Sequence, residues 1–69
     1  MEKDVRCMYF IEIEYNDGTS FSFDVFVSGQ EHEVVAHLMM ITRGTLMASS
    51  GSRAVCYRSD GFDVCSYVK

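Results

Sequence analysis

Ile11-Glu12-Ile13-Glu14-Tyr15-Asn16-Asp17-Gly18-Thr19-Ser20-Phe21-Ser22-Phe23 is the stretch that decides the fold. Two alternating runs flank Asn16-Asp17-Gly18, a tripeptide with the chemistry of a tight turn. As a three-residue hairpin loop it sets Tyr15 opposite Thr19, Ile13 opposite Phe21, Ile11 opposite Phe23, Tyr9 opposite Val25 and Cys7 opposite Val27. That is a near-continuous apolar face, as one buried side of an antiparallel pair requires. A two-residue loop at Asp17-Gly18 would pair Ile13 with Ser22 and Ile11 with Asp24, mixing the faces, and is rejected. The other face sets Glu14 against Ser20, Glu12 against Ser22 and Phe10 against Asp24, but also Met8 against Phe26. The last pair marks a sticky outer surface.

Working outward, the first strand is expected at about 5–15 and the second at about 19–27. Ser28-Gly29-Gln30-Glu31 has the S-x-x-E spacing of a capping box, so the pattern predicts a helix starting just after Ser28. Glu31 and Glu33 place negative charge near the positive end of its dipole. Val34, Val35, Leu38, Met39, Thr42 and Leu46 form its apolar stripe. Gly44 is either a closing residue or an interior glycine. The longer helix, about 29–48, is preferred because it keeps Leu46 on the stripe and ends at Ser49-Ser50-Gly51.

A second hairpin follows, with strands at about 52–58 and 62–68 around Ser59-Asp60-Gly61. A two-residue loop pairs Cys56 with Cys65, Tyr57 with Val64 and Arg58 with Asp63. A three-residue loop pairs Cys56 with Val64 and Ala54 with Ser66. Periodicity does not choose between them. Hairpin, helix, hairpin gives a single two-layer α+β domain over residues 1–69, a four-stranded ββαββ sheet with the helix on one face. Two strand orders fit: chain order, and 2-1-4-3 with the first and fourth strands central and parallel. Ser20, Ser22 and Asp24 on the second strand and Arg53 and Arg58 on the third look like edge protection, which favours 2-1-4-3. In element order and length, that layout resembles the β-grasp architecture of ubiquitin-like and immunoglobulin-binding domains. The resemblance carries no sequence motif. Conjugation or sulfur carriage in such proteins needs a C-terminal Gly-Gly, whereas this sequence finishes Ser66-Tyr67-Val68-Lys69. The iron–sulfur cluster of some needs four clustered cysteines, and here there are three, dispersed.

Sixty-nine residues bury only about 60% of the surface of their unfolded chain, so added burial by association is an advantage. At 48% hydrophobic content the chain is too apolar to be disordered. It has no proline and no run approaching a membrane span. Met1-Glu2-Lys3-Asp4 is unlike a signal peptide, so a cytoplasmic location with reduced Cys7, Cys56 and Cys65 is expected. Six basic residues in a chain of net charge −4 argue against nucleic acid.

The candidate interface residues are Met8, Phe10 and Phe26 on the outer sheet face. Met40 and Met47 come next, on a second helix stripe with Ala36 and Gly44. His32 and His37 lie about 140° apart around a helix and do not form an i, i+4 metal pair. No C-x-x-C pair occurs, and no metal or cofactor is expected. Glu12 and Glu14 read as a solvated strand face rather than a catalytic dyad. The chain has no nucleophile elbow or phosphate loop, and a domain this small has little room for a sizeable pocket. The expected role is a non-catalytic protein-interaction module, a homodimer or an accessory or inhibitory subunit. The alternative is a small regulator contacting nucleic acid through Arg53 and Arg58 beside strand tyrosines.

Overall fold

The computed structural model describes residues 4–69. In chain order it contains β1 (Asp4–Glu14), β2 (Ser20–Gln30), α1 (Glu31–Ala48), β3 (Arg53–Arg58) and β4 (Asp63–Val68). The four strands make one sheet and α1 lies across one face, a two-layer α+β arrangement. The first hairpin has the three-residue loop and the predicted register, from Glu14 opposite Ser20 to Asp4 opposite Gln30. Tyr15 N–H donates to Thr19 O (2.9 Å), Gly18 takes the left-handed φ of 89°, and Asp17 Oδ1 accepts from Thr19 N–H (3.0 Å). The second turn repeats this chemistry. Arg58 N–H donates to Phe62 O (2.8 Å), Gly61 has φ 94°, and Asp60 Oδ1 accepts from Phe62 N–H (3.1 Å).

The second hairpin uses both registers considered from sequence. Cys56 lies opposite Cys65 and Ala54 opposite Tyr67, the two-residue register, yet Tyr57 lies opposite Asp63, the three-residue one. A bulge between Cys56 and Tyr57 absorbs the extra residue and switches one into the other. The turn chemistry fixes one end and core packing of Cys56 fixes the other.

The strand order is β2-β1-β3-β4, antiparallel throughout, and this corrects the expected 2-1-4-3 and its parallel central pair. The cause is the short connection after α1. The helix ends above the end of β1, and residues 49–52 deliver β3 directly beside it, with Ser52 N–H donating to Glu14 O (2.8 Å). The small side chains of Ala54 and Cys56 then fill the floor beneath the helix at 0% exposure. The arginines read as edge protection are held locally instead. Arg53 pairs with Glu14 on the neighbouring strand (3.4 Å) and Arg58 with Asp60 in the turn (2.8 Å). The edges are β2 and β4.

The expected capping box does not form. Pairing of β2 with β1 continues to Gln30, so Ser28 is held in the ladder opposite Arg6 and cannot cap. Gln30 is the extended N-cap (φ −68°, ψ 145°) without a side-chain cap bond, and its Nε2 donates to Asp4 Oδ1 (2.8 Å). At the other end the longer helix is correct: Gly44 is interior, and Ser49 closes the helix with N–H and Oγ bonds to Leu46 O (3.2 and 2.9 Å). The buried stripe is narrower than expected. Val34, Leu38, Thr42 and Leu46 are buried, whereas Val35 and Met39 overhang at 37% and 41% exposure. With Tyr9, Ile11, Ile13, Val27, Ala54 and Cys56 these four helix residues make the core.

Candidate interaction surface

No element covers the second face of the sheet among the described residues. Strand alternation places Met8, Phe10, Glu12 and Glu14 of β1 on it, with Phe26, Asp24, Ser22 and Ser20 of β2 and Tyr57, Val55 and Arg53 of β3. The face is divided. Met8 lies opposite Phe26 and Phe10 opposite Tyr57, whose rings are 5.6 Å apart and tilted by 32°. Phe10 is half-buried by this contact, while Phe26 stays 58% exposed. The other end carries Glu12, Glu14, Ser20, Ser22 and the Glu14–Arg53 ion pair. The structure therefore brings Met8, Phe10 and Phe26 together into one apolar band, extended by Tyr57. Met40 and Met47 are exposed on α1, on the opposite side of the molecule, and do not join it.

Sequence reasoning missed Phe21. The hairpin register puts it on the helix side opposite Ile13, where burial was expected, but it is 56% exposed. α1 packs mainly across β3 and β4 and leaves that corner of β2 open. No phenylalanine of the chain belongs to the buried core: Phe21, Phe26 and Phe62 are exposed, Phe10 and Phe23 half-buried. Phe62 lies under the Arg58 guanidinium (4.9 Å to the ring centre).

A second feature corrects an expectation. A cleft of about 450 Å³ opens between the start of α1, the start of β1 and the second turn, lined by Cys7, Tyr9, Val35, Arg58, Phe62 and Val64 among others. These residues come from four separate parts of the chain, so no local pattern announces it. Burial pushes the Tyr9 hydroxyl above its ordinary value, Cys7 adding to the effect. Behind it, burial pushes the Cys56 thiol up from the ordinary 9.0 to about 11. The unfolded chain therefore releases the Cys56 proton first. Stability is flat in this group below pH 9 and falls as pH rises through 9 to 11, by about 2–3 kcal/mol. Urea midpoints taken with reductant at pH 8 and pH 11 should show the loss, and Cys56→Ala should reduce it. An equal loss in that variant would assign it elsewhere.

Arg53 and Arg58 occupy opposite ends of β3 and opposite faces of the sheet, each beside a carboxylate, so they do not form one basic surface. Among the described residues no three His, Cys, Asp or Glu side chains are grouped to hold a metal ion, and no helix is long and apolar enough to cross a membrane. No family model, curated protein or solved structure matches this chain.

Proposed function

We propose that this chain is a non-catalytic protein-interaction module that works as a homodimer. One observation carries the reading: no phenylalanine is among the fully buried core residues, and Phe21, Phe26 and Phe62 are each more than half exposed. A free-standing domain gains most by burying its largest apolar side chains, so leaving them outside favours a partner. A second copy supplies the burial that a chain of this length lacks. The surface offered centres on the edge strand β2, with Phe26 on one face and Phe21 on the other, and Met8 and Phe10 of β1 flank Phe26. The Met40 and Met47 stripe is a lesser candidate. A stable interface needs about 800 Å² per partner, roughly a sixth of the 4688 Å² exposed here. Light scattering over a concentration series with reductant should give twice the 7.8 kDa chain mass. The double variant Phe10→Ser, Phe26→Ser should remain folded and shift to monomer. A wild-type monomer at every concentration would overturn the homodimer, and an unchanged dimer in the double variant would remove this face from it.

A further inference from the structure

We infer that the second copy adds to the free edge of β2, antiparallel and centred on Val25, joining two four-stranded sheets into one of eight strands. The inference rests on the homodimer reading and names its geometry. Four observations carry it, and the first is the state of the edge. β2 runs eleven residues from Ser20 to Gln30 with one charge, Asp24, and neither proline nor a basic residue. Edges are ordinarily guarded by prolines, lysines or several charges, or kept short, as six-residue β4 is; Ser20, Ser22 and the lone Asp24 mark β2 as an edge but are too small and too few to block a second strand.

The second is the parity of the backbone. Tyr15 N–H bonds to Thr19 O, so pairs of odd-numbered residues exchange the β1–β2 bonds. Glu14 O and Met8 O accept from Ser52 and Ser59 on the β3 side, which agrees. The N–H and C=O groups of Ser20, Ser22, Asp24, Phe26, Ser28 and Gln30 therefore point out of the sheet.

Third, a symmetric register about the strand's midpoint keeps its one charge from facing its own copy. Pairing about Val25 matches all eleven residues without overhang. It sets Ser20 against Gln30 of the second copy, Ser22 against Ser28, Asp24 against Phe26 and Phe23 against Val27. Every outward-pointing residue meets another outward-pointing one, as an antiparallel ladder requires. A shift of the centre to Asp24 would set the two carboxylates directly opposite, which is unfavourable. In the Val25 register they lie on a diagonal, about 7–8 Å apart.

Fourth, the register gives exposed Phe21 a place. It falls opposite Gly29 of the second copy, whose φ of 145° only glycine readily adopts. Val34 Cγ2 lies 3.8 Å from where a Cβ would stand on that glycine, so the ring meets an apolar neighbour there. On the other face the two Phe26 side chains become diagonal neighbours. Phe26 is thereby covered at the seam, while Met8 and Phe10, one strand inward on β1, flank it.

The test uses charge pairs at the seam. Ser22 lies opposite Glu12 and Ser28 opposite Arg6 within the chain. In the double variant Ser22→Lys, Ser28→Lys the register puts like charges opposite at two symmetric places, and dimer dissociation should rise about 10-fold or more. Ser22→Lys, Ser28→Glu pairs opposite charges across the same seam and should hold the dimer at least as tightly as wild type. Independently, Val25→Cys under mild oxidation should give a covalent dimer whose peptide masses show position 25 joined to itself, because that non-hydrogen-bonded pair brings the Cα atoms to about 4.5 Å. Circular dichroism checks that each variant is folded. A wild-type dimer that is unaffected by the lysine pair, and whose position-25 variant does not cross-link to itself, would overturn the edge geometry and leave the homodimer standing. A monomeric wild type would overturn both.

Discussion

Gly51→Ala is expected to destabilise the fold by about 3 kcal/mol, at the upper end of what overpacking a core costs. Gly51 is buried in the connection from α1 to β3, and its φ is not in the left-handed region, so space is what it supplies. A Cβ there would fall inside the van der Waals surface of the Ile13 γ2 methyl and 3.2 Å from both Glu14 O and Ser49 Oγ. Ile13 is 1% exposed and stiff at its branched Cβ, so the methyl cannot swing away. Glu14 O is already engaged by Ser52 N–H (2.8 Å) and Ser52 Oγ (3.2 Å), the bonds that set β3 beside β1. Moving the connection outward loosens that junction; holding it compresses the core. Gly44→Ala is the matched control. Nothing lies within 4 Å of its added Cβ, and alanine in a helix interior should gain about 1 kcal/mol. Urea midpoints should therefore move in opposite directions. A neutral Gly51→Ala would mean the connection does not approach Ile13 as described.

The same connection explains what was and was not legible in the sequence. The first hairpin could be read residue by residue because turn chemistry and a strict two-residue period specify the same register. The capping box was misread because a local signal competed with a longer-range one. Ser28 has the chemistry of a cap, but the β1 ladder reaches past it to Gln30. Strand order depends on where four residues after the helix deliver the chain, and on Ala54 and Cys56 being small enough to lie under it. No periodicity encodes either. Arg53 and Arg58 carried a false edge signal because their partners, Glu14 and Asp60, answer charges that would otherwise need solvent. Of the candidate surface, Met8, Phe10 and Phe26 were legible from alternation alone. Phe21 was not, since its exposure depends on how far α1 spreads across the sheet.

Leu38→Ala should have the largest effect of any single change considered, about 2–5 kcal/mol. Leu38 is fully buried midway along the stripe of Val34, Leu38, Thr42 and Leu46, the line on which α1 meets the sheet. Its carbonyl also accepts the Thr42 hydroxyl (2.6 Å), so truncation leaves the cavity beside a fixed polar bond that limits collapse. α1 is the sole cover of the inner sheet face among the described residues. Weakening its seat therefore exposes Ile11, Ile13, Ala54 and Cys56 together rather than one corner. For a core of this size, with about 3–5 kcal/mol to lose, the variant should be largely unfolded by circular dichroism at room temperature when dilute. Leu38→Met keeps the volume and should cost less than about 1.5 kcal/mol. Association makes the two experiments inform each other. On the proposed homodimer, in which only folded copies associate, midpoints should rise with protein concentration, and concentrated Leu38→Ala should regain helical signal in parallel with dimer mass. A Leu38→Ala protein as stable as wild type would show that the helix does not rest on the sheet along this line. Refolding on concentration without any gain in mass would break the link between the exposed phenylalanines and stability.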